Sequence, residues 1–484
     1  MKSLVIAEKP SVARDIARVL KCGKNINGAI EGDSYVVTWG LGHLVELADP
    51  ESYDPRYKEW KLEDLPMIPD PFKLEVIRQT GKQYQAVKAQ LHRKDVSQVI
   101  IATDAGREGE LVARLILKKA GNSRPVKRLW ISSVTDKAIQ EGFASLKDGK
   151  EYEALRDAAL CRAEADWLVG INATRLFSVL YHRTLNIGRV MSPTLALIVQ
   201  RETQIDSFRP EPFYTVALEL PGFIVSGERM KEKAAAEQLR QSCQGAAVTV
   251  KKVEHKEKLE KPPALYDLTT LQRDANRLLG FTAQQTLDYL QNLYEKKLCT
   301  YPRTDSRYLT SDMAEGLPVL VNLTANAMPF CKGTAITCNP QSVINDKKVT
   351  DHHAVIPTRN LRETDLSGLP VGEKAVLELV ALRLLCAVAE PYTYAETVVT
   401  VVCAGAEFSD KGRTVKSLGW RALDAAYQTS LKGAAETEKE PGEKVIPELT
   451  ENQSLSVLEA VKKEGKTSPP KHFTEDTLLS AMAM

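Results

Sequence analysis

No Cys-x-x-Cys pair occurs among the eight cysteines of this 484-residue chain, and the closest two, Cys331 and Cys338, have no second pair nearby. That pattern excludes the usual spacing of a structural zinc site and points to reduced thiols rather than a disulfide framework. Long apolar runs are missing as well. No stretch approaches the roughly 20 residues needed to cross a bilayer, and Met1-Lys2-Ser3-Leu4-Val5-Ile6-Ala7-Glu8 reaches a carboxylate before a signal-like apolar region develops. A cytoplasmic location without membrane attachment is therefore expected. Charge of one sign is scarce too: a formal net charge of +2 excludes a uniformly basic nucleic-acid coat, while leaving room for local basic grooves. Neither the Walker nor the dinucleotide glycine pattern is present. What remains is a globular composition, 43% hydrophobic and 26% charged, in a chain too long for one core, so several domains are expected.

The first 150 residues alternate strand-like and helix-like segments, as a mostly parallel α/β domain does. Leu4 to Ala7 reads as a buried strand running into Glu8-Lys9-Pro10-Ser11, after which Ala13, Ile16, Ala17 and Leu20 recur at helical spacing. Gln98 to Thr103 repeats the pattern and leads into Asp104-Ala105-Gly106-Arg107-Glu108-Gly109-Glu110 before a second helix. Strand ends of this kind line the ligand crevice of open α/β sheets. Glu8, Asp104, Glu108 and Glu110 together offer the hard oxygen ligands that magnesium requires. The alternative for Glu108 and Glu110 is that they favour the positive N-terminus of the following helix.

Residues 151–205 become arginine-rich and helical. Arg162, Asp166 and Arg175 fall on a polar face, and Gly188-Arg189 can bring backbone amides and a guanidinium close to a phosphate. Arginines on helices are also commonly solvated or ion-paired. Period-two alternation at Tyr214, Val216, Leu218 and Leu220 marks a strand-rich segment. A helix carrying Leu271, Ala275 and Leu278 follows, ended by Gly280, and Thr282 with Gln285 forms a capping box for the next. That pair leads into Cys299-Thr300-Tyr301-Pro302-Arg303-Thr304-Asp305-Ser306-Arg307. A phenol with an ordinary pKa near 10 needs a neighbouring cation to act as a nucleophile on phosphate, and Arg303 and Arg307 can supply one. The plainer reading is a tyrosine in a polar loop. Asp351-His352-His353 later offers imidazoles before the rigid Ile356-Pro357 step.

In combination and in order, Glu8-Lys9-Pro10-Ser11, Thr103-Asp104 with Arg107-Glu108-Gly109-Glu110, Ala165 to Gly170, Gly188-Arg189-Val190, Tyr301 through Ser306 and His352-His353-Ala354 resemble the type IA DNA topoisomerases, especially bacterial topoisomerase III. The resemblance spans essentially the whole chain. It implies a multidomain α/β and α+β protein: an N-terminal Rossmann-like Toprim domain, with helical and winged-helix-like domains forming a toroidal core. The implied domains are Toprim over 1–150, a helical DNA-groove domain over 151–204 and 443–484, a β-rich arch over 205–265 and 391–442, and a winged-helix-like module over 266–390. Thr467 to Glu475 resembles a family segment that continues well past the last residue here, so a C-terminally truncated chain is expected.

The activity implied is ATP-independent strand passage. Tyr301 attacks one DNA strand to form a 5′-phosphotyrosyl link, a strand passes, and the break is rejoined. By the same matching Arg303 stabilises the phosphate, Lys9 orients it or protonates the leaving oxygen, and His352 sits beside phosphate or tyrosine. Glu8, Asp104 and Glu108 would hold Mg2+, and Glu8, also a catalytic candidate, would with Asp104 hold the ion or manage protons. Trp60, Arg162, Asp166, Trp167, Arg175, Asn186, Ile187, Gly188, Arg189, Val190, Met191 and Arg303 would contact single-stranded DNA. Negatively supercoiled or catenated DNA is the implied substrate, in a bacterial, nucleoid-associated setting with a helicase and a single-strand-binding protein as candidate partners. Two departures stand out: Gly106 replaces the family's second Toprim aspartate, and Met191 replaces a common glutamine. Gly106 and the expected truncation keep open an impaired single-strand-binding relic, and the same carboxylates keep open a Toprim metal-dependent nuclease using water.

Overall fold

The computed structural model describes residues 1–131, 134, 136–349, 352–432 and 445–483. The chain divides into two compact units. The first comprises residues 1–197 with 303–306 and 345–354, and the second comprises the remainder.

The first unit is built on a seven-stranded sheet. Its strands are β1 (Lys2–Ala7), β2 (Lys24–Ile26), β3 (Ala29–Glu31), β4 (Tyr35–Trp39), β7 (Val96–Ala102), β8 (Val126–Arg128) and β9 (Lys147–Asp148), while β5 (Val45–Leu47) and β6 (Leu74–Val76) form a separate pair. The order is β2-β3-β4-β1-β7-β8-β9, and β4, β1, β7 and β8 run parallel. Parallel strands must be covered on both faces, which explains the unbroken apolar runs: Leu4 to Ala7 and Val99 to Ala102 are buried. The covering helices include α1 (Pro10–Val19), α2 (Gly81–Leu91), α3 (Arg107–Ala120) and α4 (Asp136–Ala144). Pro10 occupies the first turn of α1, and Gly121 ends α3 at φ +72°, a left-handed conformation that costs glycine little. α5 (Glu153–Leu180) packs on α3, and α6 (Met191–Asp206) begins in this unit and ends in the next.

The second unit holds a seven-stranded antiparallel sheet of β10 (Pro212–Leu220), β11 (Phe223–Gly227), β12 (Ala247–Glu260), β13 (Tyr392–Cys403), β14 (Ala406–Ser417), β15 (Ser454–Ser456) and β16 (Glu459–Lys466), ordered β15-β12-β13-β14-β11-β10-β16. Tyr214, Val216, Leu218 and Leu220 all point into its core. Its helices are α7 (Lys233–Cys243), α8 (Leu268–Leu279), α9 (Ala283–Glu295), α10 (Leu317–Ala327), α11 (Val371–Ala387), α12 (Arg421–Lys432) and α13 (Glu475–Met482). The two helices ahead of the tyrosine segment form as the sequence predicts. Gly280 closes α8 at φ +70°, and both hydrogen bonds of the Thr282–Gln285 capping box are made.

One boundary is corrected. Residues 454–466, expected within a helical domain, instead pair with β12 and β10 as strands of this sheet. Ala460 and Lys462, two residues apart, turn the same face inward at the period of a strand, and β10 offers an open edge to complete. The expected boundary at 443 itself lies outside the described residues.

Candidate active site

Glu8 follows directly from the C-terminal end of β1 and Asp104 comes one residue beyond the end of β7, and the two are neighbouring parallel strands in register at Ala7 and Ala102. The sheet therefore fixes two carboxylates side by side. The Asp104 backbone N–H donates to Glu8 Oε2 at 3.0 Å. Burial, followed by the adjacent Asp104 charge, pushes the Glu8 carboxyl up to about 7. Burial also works against the Asp104 carboxylate, but the hydrogen bond and charge of His352, helped by Lys9, outweigh it and hold Asp104 below its ordinary value. His352 Nε2 lies 3.4 Å from Asp104 Oδ2.

Two hydroxyls that the sequence reading passed over hold this imidazole's loop. Thr304 Oγ1 donates to the His352 carbonyl at 2.8 Å, and Ser306 Oγ donates to the Lys348 carbonyl at 2.8 Å. Both side chains are buried. The segment after Arg303 is thereby tied to the loop that carries His352. The only signal in the sequence was a pair of small hydroxyl residues between charged ones.

The remaining acids of the Toprim-like segment serve otherwise. Glu108 Oε1 pairs with Arg162 at 2.9 Å. Glu110 is wholly buried between Arg114 at 2.7 Å and Arg128 at 2.9 Å. Among the described residues, no cluster of three or more His, Cys, Asp or Glu side chains converges as a metal site. The acidic centre is a pair rather than the expected set with Glu108, and Glu110 is too committed to substitute for the missing aspartate at Gly106. The pair still suits a hard dication. Burial and then the Asp104 charge make Glu8 hold a proton near neutrality, which a neighbouring cation would relieve, and magnesium commonly takes only one or two carboxylates.

The nucleic-acid candidates separate by burial. Arg189 forks onto Asp166 at 2.9 and 3.2 Å, and Arg162 Nε lies 4.0 Å from Asp166 Oδ2. These three stay half-exposed to exposed in a row beginning at Glu108. Asn186, Val190 and Met191 are exposed, Ile187 is clipped by Thr174 Oγ1 at 2.9 Å, and the Gly188 N–H donates to Ser192 Oγ at 3.2 Å. Trp60 is 41% exposed. Trp167 and Arg175 are not available in the way expected. Trp167 is buried edge-on against Tyr53 and Phe72 and donates to the Ala48 carbonyl at 3.0 Å. Arg175 is buried, donates to the Tyr57 carbonyl at 2.6 Å and lies 5.3 Å from the centre of the Trp60 ring. The Trp167 Nε1 and the Arg175 Nη1 hold chain to chain, and of this group Trp60 offers a face to solvent.

In the second unit Tyr301 is half-buried, its ring meeting that of Tyr294 edge-on at 5.6 Å. The strand-like bridge from Cys299 to Pro357 and the Thr300–Ile356 hydrogen bonds hold the backbone before it. Arg307 donates to the Leu265 carbonyl at 3.1 Å. It braces the module, which leaves Arg303, exposed in the first unit, as the segment's solvent-facing cation.

Residues 3–134 match the family model of the Toprim domain, and residues 150–484 match that of DNA topoisomerase. The chain belongs to the type IA DNA topoisomerases. It is 47% identical to DNA topoisomerase 3 of Bacillus subtilis, over 99% of this chain and 67% of that protein. It is 46% identical to the enzyme of the same name from a strain of Bacillus cereus, with the same two shares. In fold it is similar to full-length topoisomerase I from Thermotoga maritima, with a TM-score of 0.70 and 23% identity over 99% of this chain and 75% of that one. The mixed α/β organisation expected of a type IA topoisomerase core is therefore the one found, with its Toprim domain at the N-terminus. No described helix is long and apolar enough to cross a membrane.

Proposed function

We propose that this type IA topoisomerase changes DNA linkage without ATP, using Tyr301 as its nucleophile. The phenol oxygen gives up its proton to water and forms a bond to the phosphorus of a single-stranded phosphodiester, and the bond from phosphorus to the 3′-oxygen breaks. The energy stays in the phosphotyrosyl link, so the released 3′-hydroxyl can reverse the step after strand passage. Arg303 neutralises charge developing on the non-bridging oxygens. Glu8, protonated near neutrality because it is buried beside Asp104, is suited to give the departing 3′-oxygen its proton during cleavage, before it serves as a metal ligand. His352 holds Asp104 ionised, and Lys9 adds positive charge at the same strand end.

The residues to hold magnesium are Glu8 and Asp104, and the ion when bound supplies charge neutralisation for aligning the 3′-oxygen. Trp60, Arg162, Arg189 and the segment around Gly188 are proposed to contact the single strand, with negatively supercoiled or catenated DNA as substrate. A cytoplasmic, nucleoid-associated enzyme with helicase and single-strand-binding partners fits this reading. So does the domain division proposed above, once 454–466 is assigned to the arch.

What supports the reading most directly is the Glu8–Asp104 pair at adjacent parallel strand ends, with His352 from a loop on Asp104, in a chain whose family match covers both the Toprim and the tyrosine segments. Relaxation of negatively supercoiled plasmid with magnesium and no nucleotide, together with trapping of a covalent protein–DNA adduct, tests it. Strand breaks without an adduct would favour the hydrolytic nuclease, and binding without breaks the inactive relic.

A further inference from the structure

Arg128, at the end of β8, is wholly buried, and its guanidinium is spent almost entirely on one stretch of backbone. Nη1 donates to the carbonyls of Ile101 at 3.2 Å, Thr103 at 2.8 Å and Leu129 at 2.9 Å, and Nη2 donates to that of Asp104 at 2.7 Å. Nε faces Glu110 Oε2 at 2.9 Å, and the second Glu110 oxygen accepts from Arg114 at 2.7 Å. The Trp130 ring lies 5.0 Å from the guanidinium carbon.

A buried ion pair is weak support for stability, because apolar residues of similar volume commonly replace one at no loss. What such residues cannot replace is the planar fork of donors. Here the fork lands on the peptide that joins Thr103 to Asp104. Its carbonyl accepts from Arg128, while its N–H donates to the Glu8 carboxylate at 3.0 Å. One peptide therefore links a buried cation to the first acid of the site, and the next carbonyl, that of Asp104, takes a second bond from the same guanidinium. The backbone has little freedom to find another arrangement. A Cβ at Gly109 would stand 2.2 Å from the Asp104 carbonyl oxygen, and Thr103 Oγ1 donates to the Gly109 carbonyl at 2.7 Å.

We propose that Arg128 is a positioning residue for the acid pair. Through the Thr103–Asp104 peptide it sets the placement of Asp104 against Glu8, and Glu110 orients its guanidinium from the far side. Arg128 touches neither DNA nor metal. The inference rests on the reading of Glu8 and Asp104 given above, and it makes the last acid of the Toprim segment a support for the site rather than a ligand in it.

The test compares the parent, Arg128→Lys, Arg128→Met with Glu110→Leu, and Asp104→Ala. Each is measured for thermal midpoint, for covalent adduct on a single-stranded oligonucleotide in chelator, and for rejoining of that adduct as magnesium is titrated. Arg128→Lys keeps the charge beside Glu110 but cannot reach every carbonyl. It should retain adduct formation and shift the half-saturating magnesium for rejoining upward by the roughly 10–100-fold typical of lost outer-shell support. The apolar double substitution should recover the thermal midpoint without recovering rejoining. Parent-like magnesium dependence in Arg128→Lys, or rejoining that recovers with the midpoint in the double variant, overturns the proposal. So does failure of both variants to fold, which would make the pair purely architectural. If Asp104→Ala itself rejoins with the parent's profile, the acid-pair reading falls first; if only Asp104→Ala is impaired, that reading stands and the role of Arg128 alone is lost.

Discussion

The backbone N–H of Asp104 donates to the carboxylate of Glu8 at 3.0 Å, across two strand ends separated by most of the Toprim domain in sequence. Burial, followed by the Asp104 charge, outweighs this hydrogen bond and lets Glu8 hold a proton up to about pH 7, while His352 and Lys9 hold Asp104 below its ordinary value. The site's chemistry near neutral pH follows from that asymmetry.

Stability should record it. The folded value of Glu8, about 7, lies above the ordinary 4.5, so its contribution is fully present below the unfolded pKa and is lost as pH rises from about 4.5 through 7. Without metal, Glu8→Gln should therefore gain on the parent in thermal midpoint across that window and hold its advantage at pH 8. A difference that stays flat from pH 5 to 8 would contradict the assignment.

Tyr301→Phe removes one oxygen while the ring still packs against Tyr294. Covalent adduct should vanish, with single-strand affinity within about twofold of the parent as expected when no binding contact is lost. Denaturing gels with labelled oligonucleotide read the first and fluorescence anisotropy the second. For Arg303→Ala, cleavage should slow by roughly 10²–10³-fold, the usual loss for one transition-state donor.

Gly106→Asp places a carboxylate where the backbone is extended, at φ −165°, a conformation any residue adopts. Since Glu110 is held by two arginines and Glu108 faces Arg162, the new acid has no rival and should lower the magnesium concentration needed for rejoining. An unchanged titration would mean that it merely caps α3.

The two tryptophans should behave oppositely. Trp167→Ala empties a packed site beside Tyr53 and Phe72 and should cost about 3–5 kcal/mol of unfolding free energy in urea. Trp60→Ala, at a half-open surface, should leave the urea midpoint nearly unchanged yet weaken single-strand binding at every sequence tested. Loss of affinity in a folded Trp167→Ala protein matching that of Trp60→Ala would return Trp167 to the groove.

The sequence alone determined whatever is written in local pattern. Unbroken apolar runs require buried parallel strands, so Glu8 and Asp104 could be placed at strand ends. The glycine after α8 and the Thr282–Gln285 box require helix boundaries within a few residues. The ordered set of short motifs carried the family. Tertiary structure decided the fate of side chains whose meaning depends on distant partners. Arg128 reads as an ordinary basic residue until Glu110 and four carbonyls close around it, and Trp167 and Arg175 read as DNA contacts until Ala48 and Tyr57 claim their donors. The strands at 454–456 and 459–466 likewise find their place only by pairing with β12 and β10. Burial and hydrogen-bond pairing are settled by what packs onto a residue from elsewhere in the chain. A local pattern can say that an arginine is present, but only the assembled core says whether its charge faces water or the backbone of an active site.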